Sequence, residues 1–299
     1  MPANTTTSTT RTRKFISLNN MIKHITNYTP TLKGCWILFF CVTVCGSLLS
    51  YPANILKGYP IVSTLLSYII LFIPAITFAY FKGKSTDQRP RYKINTPSWG
   101  KLHPAILFMM LPFILAAFIV VCEPINSIIT TPEWFDNIMK DTVSGESPVI
   151  SFITTCICAA TIEEFLCRGL MLRGLLENKY PPFKAILWSS FFFAILHLNP
   201  WQALPAFLFG LLFGWLYYKT RCIWIPISLH FLNNTASFVI YRLFPDLPAS
   251  VTIRDLVDNS QTYFAIFALA IGVLSIAFFI ISKFVIKRNE DEQEAVISA

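Results

Sequence analysis

Charge is scarce in this chain. Asp, Glu, Lys and Arg make up 13% of its 299 residues, hydrophobic residues make up 54%, and the mean hydropathy is +0.56. A soluble domain could not hide that much apolar surface, so the composition excludes one and points to a polytopic membrane protein. Other absences narrow the reading. The eight cysteines (35, 41, 45, 122, 156, 158, 167 and 222) form no CxxC pair and fall in or beside apolar runs. Free cysteine behaves there as a small hydrophobe, and a structural zinc site is not expected. The metalloprotease signature HExxH is missing. No repeat of 20–50 residues and no duplicated halves are visible, which argues against solenoids and against many secondary transporters. The Thr-rich start, followed by Arg11-Thr12-Arg13-Lys14, has no adjacent apolar core and does not read as a cleavable signal.

What the chain has is long apolar runs. A span needs on the order of 20 such residues, and eight segments qualify as candidates: 35–52, 60–81, 104–128, 149–176, 183–202, 203–219, 222–244 and 262–286. The expected fold is all-α, a bundle of about eight transmembrane helices over 35–286. A polar basic tail (1–34) precedes it and a charged tail (287–299) follows. The fifth and sixth segments are short and meet at Asn199-Pro200-Trp201, so their limits are the least defined. With eight spans, the Lys/Arg-rich connections all fall on one side, which the positive-inside rule makes cytoplasmic, both termini included. Loop 129–148, with Glu133, Asp136, Asp141 and Glu146 against Lys140, falls on the other side. The net charge of +8 follows from this topology, and no nucleic-acid partner is expected. The expected partners are the lipid bilayer and a protein or peptide substrate. The expected location is a bacterial inner membrane. Gly210 and Gly214 form a GxxxG that could be a homodimer face, although close packing within a bundle is the commoner reason for one.

The fourth segment departs from this pattern. It carries Glu163, Glu164 and Arg168, and ionisable groups at bilayer depth are costly enough to mark function by default. Glu164 and Arg168 are one turn apart in the favourable acid-first order and can neutralise each other. Glu163 points about 100° away around the helix and needs a partner from another helix. The fifth segment holds Phe193 and His197, and the seventh holds His230 and Asn234, each pair again one turn apart. Singly, these are a core histidine and interhelical hydrogen-bond glue. Together, a carboxylate, two imidazoles and an amide could activate water and stabilise an oxyanion.

EExxxR, FxxxH and HxxxN, in this order on successive apolar segments, resemble the CPBP family of CAAX proteases and bacteriocin-processing enzymes, which are intramembrane endopeptidases. The resemblance covers about 149–244, the expected catalytic core. It implies Glu163 as general base, with His197 helping to hold and deprotonate a water. It implies His230 and Asn234 as the oxyanion site, and Glu164 orienting Arg168. Burial alone would leave a carboxyl protonated, so a base at this depth needs a neighbouring cation or donor. An imidazole together with Arg168 is the expected source.

Two competing readings use the same residues. Glu163, His197 and His230 could instead hold a divalent metal such as zinc, but the absence of HExxH and the presence of an amide at Asn234 favour a mechanism without cofactor. A proton-coupled transporter could use intramembrane Glu, Arg and His as a relay, and an immunity-type binder could recognise a peptide without cutting it. On straight helices, Glu163 lies mid-span, His230 nearer the cytoplasmic end and His197 nearer the other. For these groups to meet, the fifth helix must tilt, start later or run past Pro200.

Overall fold

The computed structural model describes residues 17–52, 60–86, 90–144, 147–248, 251–257 and 259–285, so residues 1–16 of the tail expected over 1–34, and the whole tail expected at 287–299, lie outside the described residues. Among the described residues it contains eleven helices and no strand. In chain order they are α1 (Leu18–Asn27), α2 (Leu32–Ser50), α3 (Pro60–Lys84), α4 (Pro104–Asn126), α5 (Glu133–Ser144), α6 (Pro148–Glu177), α7 (Pro182–Ile195), α8 (Pro200–Thr220), α9 (Trp224–Leu243), α10 (Ile253–Leu256) and α11 (Ser260–Phe284). Five of them (α2, α3, α4, α6 and α11) are long and apolar enough to cross a membrane. The all-α membrane bundle is therefore present. Helices α7, α8 and α9 fall outside that set of five but complete the packed core.

Within the segment read as a tail, α1 forms because Leu18, Met21, Ile22 and Ile25 recur at helical spacing and Ser17 caps the first turn by accepting from the Asn20 amide. It packs on α3. Thr31 then caps α2 directly after Pro30. Helices α2 and α3 approach closely at Gly46, where a Cβ would lie 2.0 Å from the Leu71 carbonyl oxygen.

The seam between α7 and α8 lies earlier than the expected boundary at 202/203. Helix α7 ends at Ile195, Leu198 turns the chain with φ 55°, and Asn199 caps α8 by accepting from the Gln202 amide at 2.8 Å. Pro200 explains the position, because it disfavours helical backbone in the residue before it and suits a first helical turn itself. Fourteen residues of α7 reach only about 21 Å, short of a hydrocarbon core of about 30 Å. The turn 196–199 therefore sits at membrane depth. Its backbone is satisfied internally: Asn199 Nδ2 donates to the His197 carbonyl at 2.8 Å. Non-helical backbone at that depth is tolerated only where it is covered by protein or lines a cavity, and here it lines one.

Arg173 holds the far end of α6. It is fully buried and donates to the carbonyls of Gly169, Tyr92, Thr26 and Tyr28 at 2.8–2.9 Å. One guanidinium thus ties α6 to the loop before α4 and to the chain between α1 and α2. Gly174 lets Pro30 close over this joint, since a Cβ there would meet the proline ring at 2.4 Å.

Gly46→Ala is expected to destabilise the bundle by about 1–3 kcal/mol, because the added methyl must displace backbone rather than a flexible side chain. The measurement is the Tm of purified protein in detergent. An unchanged Tm would show that α2 and α3 do not meet at this point.

Candidate active site

Helix α6 is not uniformly α-helical. It widens into π-helical turns over Ile153–Cys158 and Phe165–Leu172, on either side of the α-helical turn Ala159–Glu164 that carries both glutamates. Such widenings free backbone groups and collect at functional sites. The carbonyls of Thr155, Cys167 and Gly169, all within the widened turns, accept side-chain hydrogen bonds from Asn234, Ser189 and Arg173.

Glu164 is fully buried, as is Arg168, and the two pair at 2.6 Å as the spacing predicts. Arg168 also donates to the Gly210 carbonyl at 3.1 Å, and its guanidinium lies over the rings of Phe193 (4.5 Å) and Phe213 (5.4 Å). His230 Nδ1 sits 3.1 Å from the same Glu164 oxygen that takes Arg168. The partner that His230 meets is thus Glu164, not Glu163. Since a carboxylate only accepts, Nδ1 carries the proton in this contact. The His230 ring is further held edge-on by Phe193 at 5.4 Å.

Glu163 is half-buried and faces the other way. Its Oε1 accepts a hydrogen bond from Tyr68 Oη of α3 at 2.7 Å. Its Oε2 is buried and meets no hydrogen-bond partner among the described residues. The donor expected for this carboxylate was an imidazole with Arg168; the structure supplies a phenol instead, from a helix that none of the motifs touches. One sequence gives no signal for Tyr68, because a tyrosine in an apolar run has no special spacing.

His197 stands in the turn after α7, one residue past its C-cap. Its Nδ1 lies 2.9 Å from the Phe193 carbonyl, so Nδ1 carries the proton and Nε2 is left as an acceptor in the neutral ring. Asn234 donates through Nδ2 to the Thr155 carbonyl at 2.8 Å and accepts from Asn233 at 3.3 Å. An amide nitrogen has two hydrogens, so one N–H of Asn234 remains beyond the Thr155 bond.

Glu163, His197, His230 and Asn234 line one cavity of about 800 Å³, together with Tyr68. Glu164 and Arg168 stand behind its wall and hold His230. Gly210 and Gly214 are buried against Ser190 and Ile186 of α7, so the GxxxG face is covered by the chain's own helix. Three His, Cys, Asp or Glu side chains do not cluster as metal ligands anywhere among the described residues.

Arg168→Met leaves Glu164 as an uncompensated buried charge and is expected to cost about 3–5 kcal/mol. Adding Glu164→Gln should recover much of that loss. Both effects are read as Tm in detergent, and a single variant as stable as wild type would contradict the pairing.

Residues 145–236 match a family model described as "Type II CAAX prenyl endopeptidase Rce1-like". Over 96 residues the chain is 34% identical to a Bacillus subtilis (strain 168) protein named "Putative membrane peptidase YdiL". That stretch is 32% of this chain and 38% of the relative. No solved structure matches. The matched segment begins just before α6 and ends within α9, so it contains all three motifs and the helices that bring them to one cavity. Over this segment the chain is similar to type II CAAX prenyl endopeptidases and to a membrane peptidase, of whose length it spans 38%.

Proposed function

We propose that the chain is an intramembrane endopeptidase that hydrolyses a peptide bond of a membrane-associated protein or peptide. The observation that carries this reading is the division between the two adjacent glutamates. Glu164 is fully buried away from the cavity, with Oε1 committed to Arg168 and His230 and Oε2 also without a partner among the described residues, whereas Glu163 lines the cavity. Glu163 is held through one oxygen by Tyr68, and its other oxygen has no partner among the described residues.

The chemistry follows from that division. A water accepted between Glu163 Oε2 and His197 Nε2 loses a proton to Glu163 as its oxygen attacks the scissile carbonyl. The oxyanion that forms takes hydrogen bonds from the remaining Asn234 N–H and from His230 Nε2–H. For Nε2 to donate while Nδ1 faces Glu164, the ring must carry both protons. The Glu164 carboxylate lies where it can stabilise that cation. Collapse of the tetrahedral intermediate breaks the C–N bond, and Glu163 returns its proton to the leaving amine. Tyr68 acts on this step by orienting Glu163. Among the described residues no three His, Cys, Asp or Glu side chains cluster as metal ligands, which supports a mechanism without metal.

The Glu164–His230 contact also supports a second reading, in which a neutral His230 oriented by Glu164 is the base, as in carboxylate–histidine dyads. Glu163→Gln separates the two. With Glu163 as base, kcat should fall about 100- to 10,000-fold. With His230 as base, that variant should keep most of its activity.

In a cleavage assay with purified protein and a membrane-anchored reporter peptide, Asn234→Ala should lower kcat about 100- to 1,000-fold, the usual loss of an oxyanion donor. Wild-type activity should survive exhaustive chelation. Loss restored only by adding back a metal would establish the metal-dependent alternative, and solute flux without cleavage would favour a transporter.

Tyr68→Phe keeps the ring contact with Phe72 and removes only the hydroxyl. A hydrogen bond to a charged group is worth about 1.5–3 kcal/mol, so kcat should drop about 10- to 100-fold. KM and Tm should stay close to wild type. A change in KM alone would place Tyr68 in substrate binding instead.

A further inference from the structure

The two ends of the bundle are chemically different, and the cavity belongs to one of them. At the first end lie the Lys/Arg-rich connections 82–101, 179–184 and 219–221. They are packed shut: the Ser98 amide donates to the Thr220 carbonyl at 2.8 Å, the Lys101 amide to that of Phe284 at 2.8 Å, and Arg173 is buried in the joint beneath. Between this end and Glu163 stands a layer of α6 with Leu170, Met171 and Leu172 at 0% exposure.

The cavity draws on the other half of each helix. Tyr68 lies in the first half of α3, Thr155 in the first half of α6 with Glu163 at its middle, and His197 just past the far end of α7. Helix α5 lines the cavity at this end. At twelve residues, or about 18 Å, it is too short to span. It places Phe135, Met139 and Val143 on the cavity. Phe135 packs on Trp201 at 4.9 Å, and Met139 Sδ receives Gln202 Nε2 at 3.3 Å. Cations are few at this end: Lys140, paired with Asp136 at 3.1 Å, Arg242 and Arg254 stand among Glu123, Glu133, Asp136, Asp141, Asp246 and Asp255.

The cytoplasmic side of a membrane protein is the side that collects Lys and Arg in its short connections. From this asymmetry we infer that the cavity opens to the extracytoplasmic side, and that the substrate class is an exported or membrane-anchored peptide whose scissile bond is presented beneath α5 from the outer leaflet. The side of opening stands on the cavity and the charge asymmetry alone. The word substrate rests on the peptidase reading above.

The test uses the full chain in intact cells, with Cys41, Cys45 and Cys158 replaced by serine, since the other five cysteines are buried. Thr142→Cys and Ser237→Cys place a thiol at exposed positions on the cavity, and Lys93→Cys places one at the basic end. A membrane-impermeant maleimide is expected to label Thr142→Cys and Ser237→Cys in intact cells and Lys93→Cys only after permeabilisation. Labelling of the two cavity positions only after permeabilisation, or under neither condition, overturns the inference. The same pattern is expected in Glu163→Gln, so the side is decided whether or not the protein cuts. In active protein, labelling Ser237→Cys from outside should abolish cleavage of the reporter peptide, whereas labelling Lys93→Cys should not. Full labelling with unchanged turnover overturns the proposed substrate route. A reporter left uncut by unlabelled protein counts against the peptidase reading and leaves the labelled side standing.

Discussion

The Glu164 carboxylate is the group on which this structure depends. It is fully buried in a membrane helix and serves two partners at once, Arg168 from its own helix and His230 from α9. Breaking either contact would leave charge in a low-dielectric interior, where an unpaired ion costs several kcal/mol. The pair therefore fixes more than itself. Arg168 reaches the Gly210 carbonyl of α8 and lies over Phe193 of α7, so one carboxylate sets the relative positions of four helices. The neighbouring Glu163 is left free of that duty and faces the cavity.

The same helix explains how a charged centre and a cavity coexist in one bundle. Its π-helical turns present carbonyls that side chains from other helices can reach, and Asn234, Ser189 and Arg173 each take one. The bonds at the basic end, through Arg173 and the loop before α4, close that end tightly. The cavity lies in the opposite half, with α5 among its lining helices. The short α7 belongs to the same arrangement. By ending at Ile195 it leaves His197 at depth, at the edge of the cavity.

Much was legible because the relevant physics is local. Low charge and long apolar runs specify helices in a membrane whatever their neighbours are, and the Glu164–Arg168 pair follows from helical spacing alone. Pro200 bounds a helix by steric exclusion within two residues, so the connection at Asn199-Pro200-Trp201 was legible, while the apolar run continuing past it set the expected boundary a few residues late. Tyr68 was illegible for a different reason. Its role comes from a contact spanning 95 positions of chain, and nothing about a tyrosine between Ser67 and Ile69 distinguishes it from a packing residue.

The sequence by itself determined the class of fold, the membrane environment and the set of polar groups that had to find one another, because an ionisable residue in an apolar run must be compensated somewhere. Only the tertiary structure decided which groups those were. It gave His230 to Glu164 and Tyr68 to Glu163, placed His197 in a turn at depth, and put the cavity in the half away from the Lys/Arg-rich loops. Helical periodicity states which face of a helix a side chain occupies. Which helix meets that face, and at what depth, is a property of packing between segments far apart in the chain.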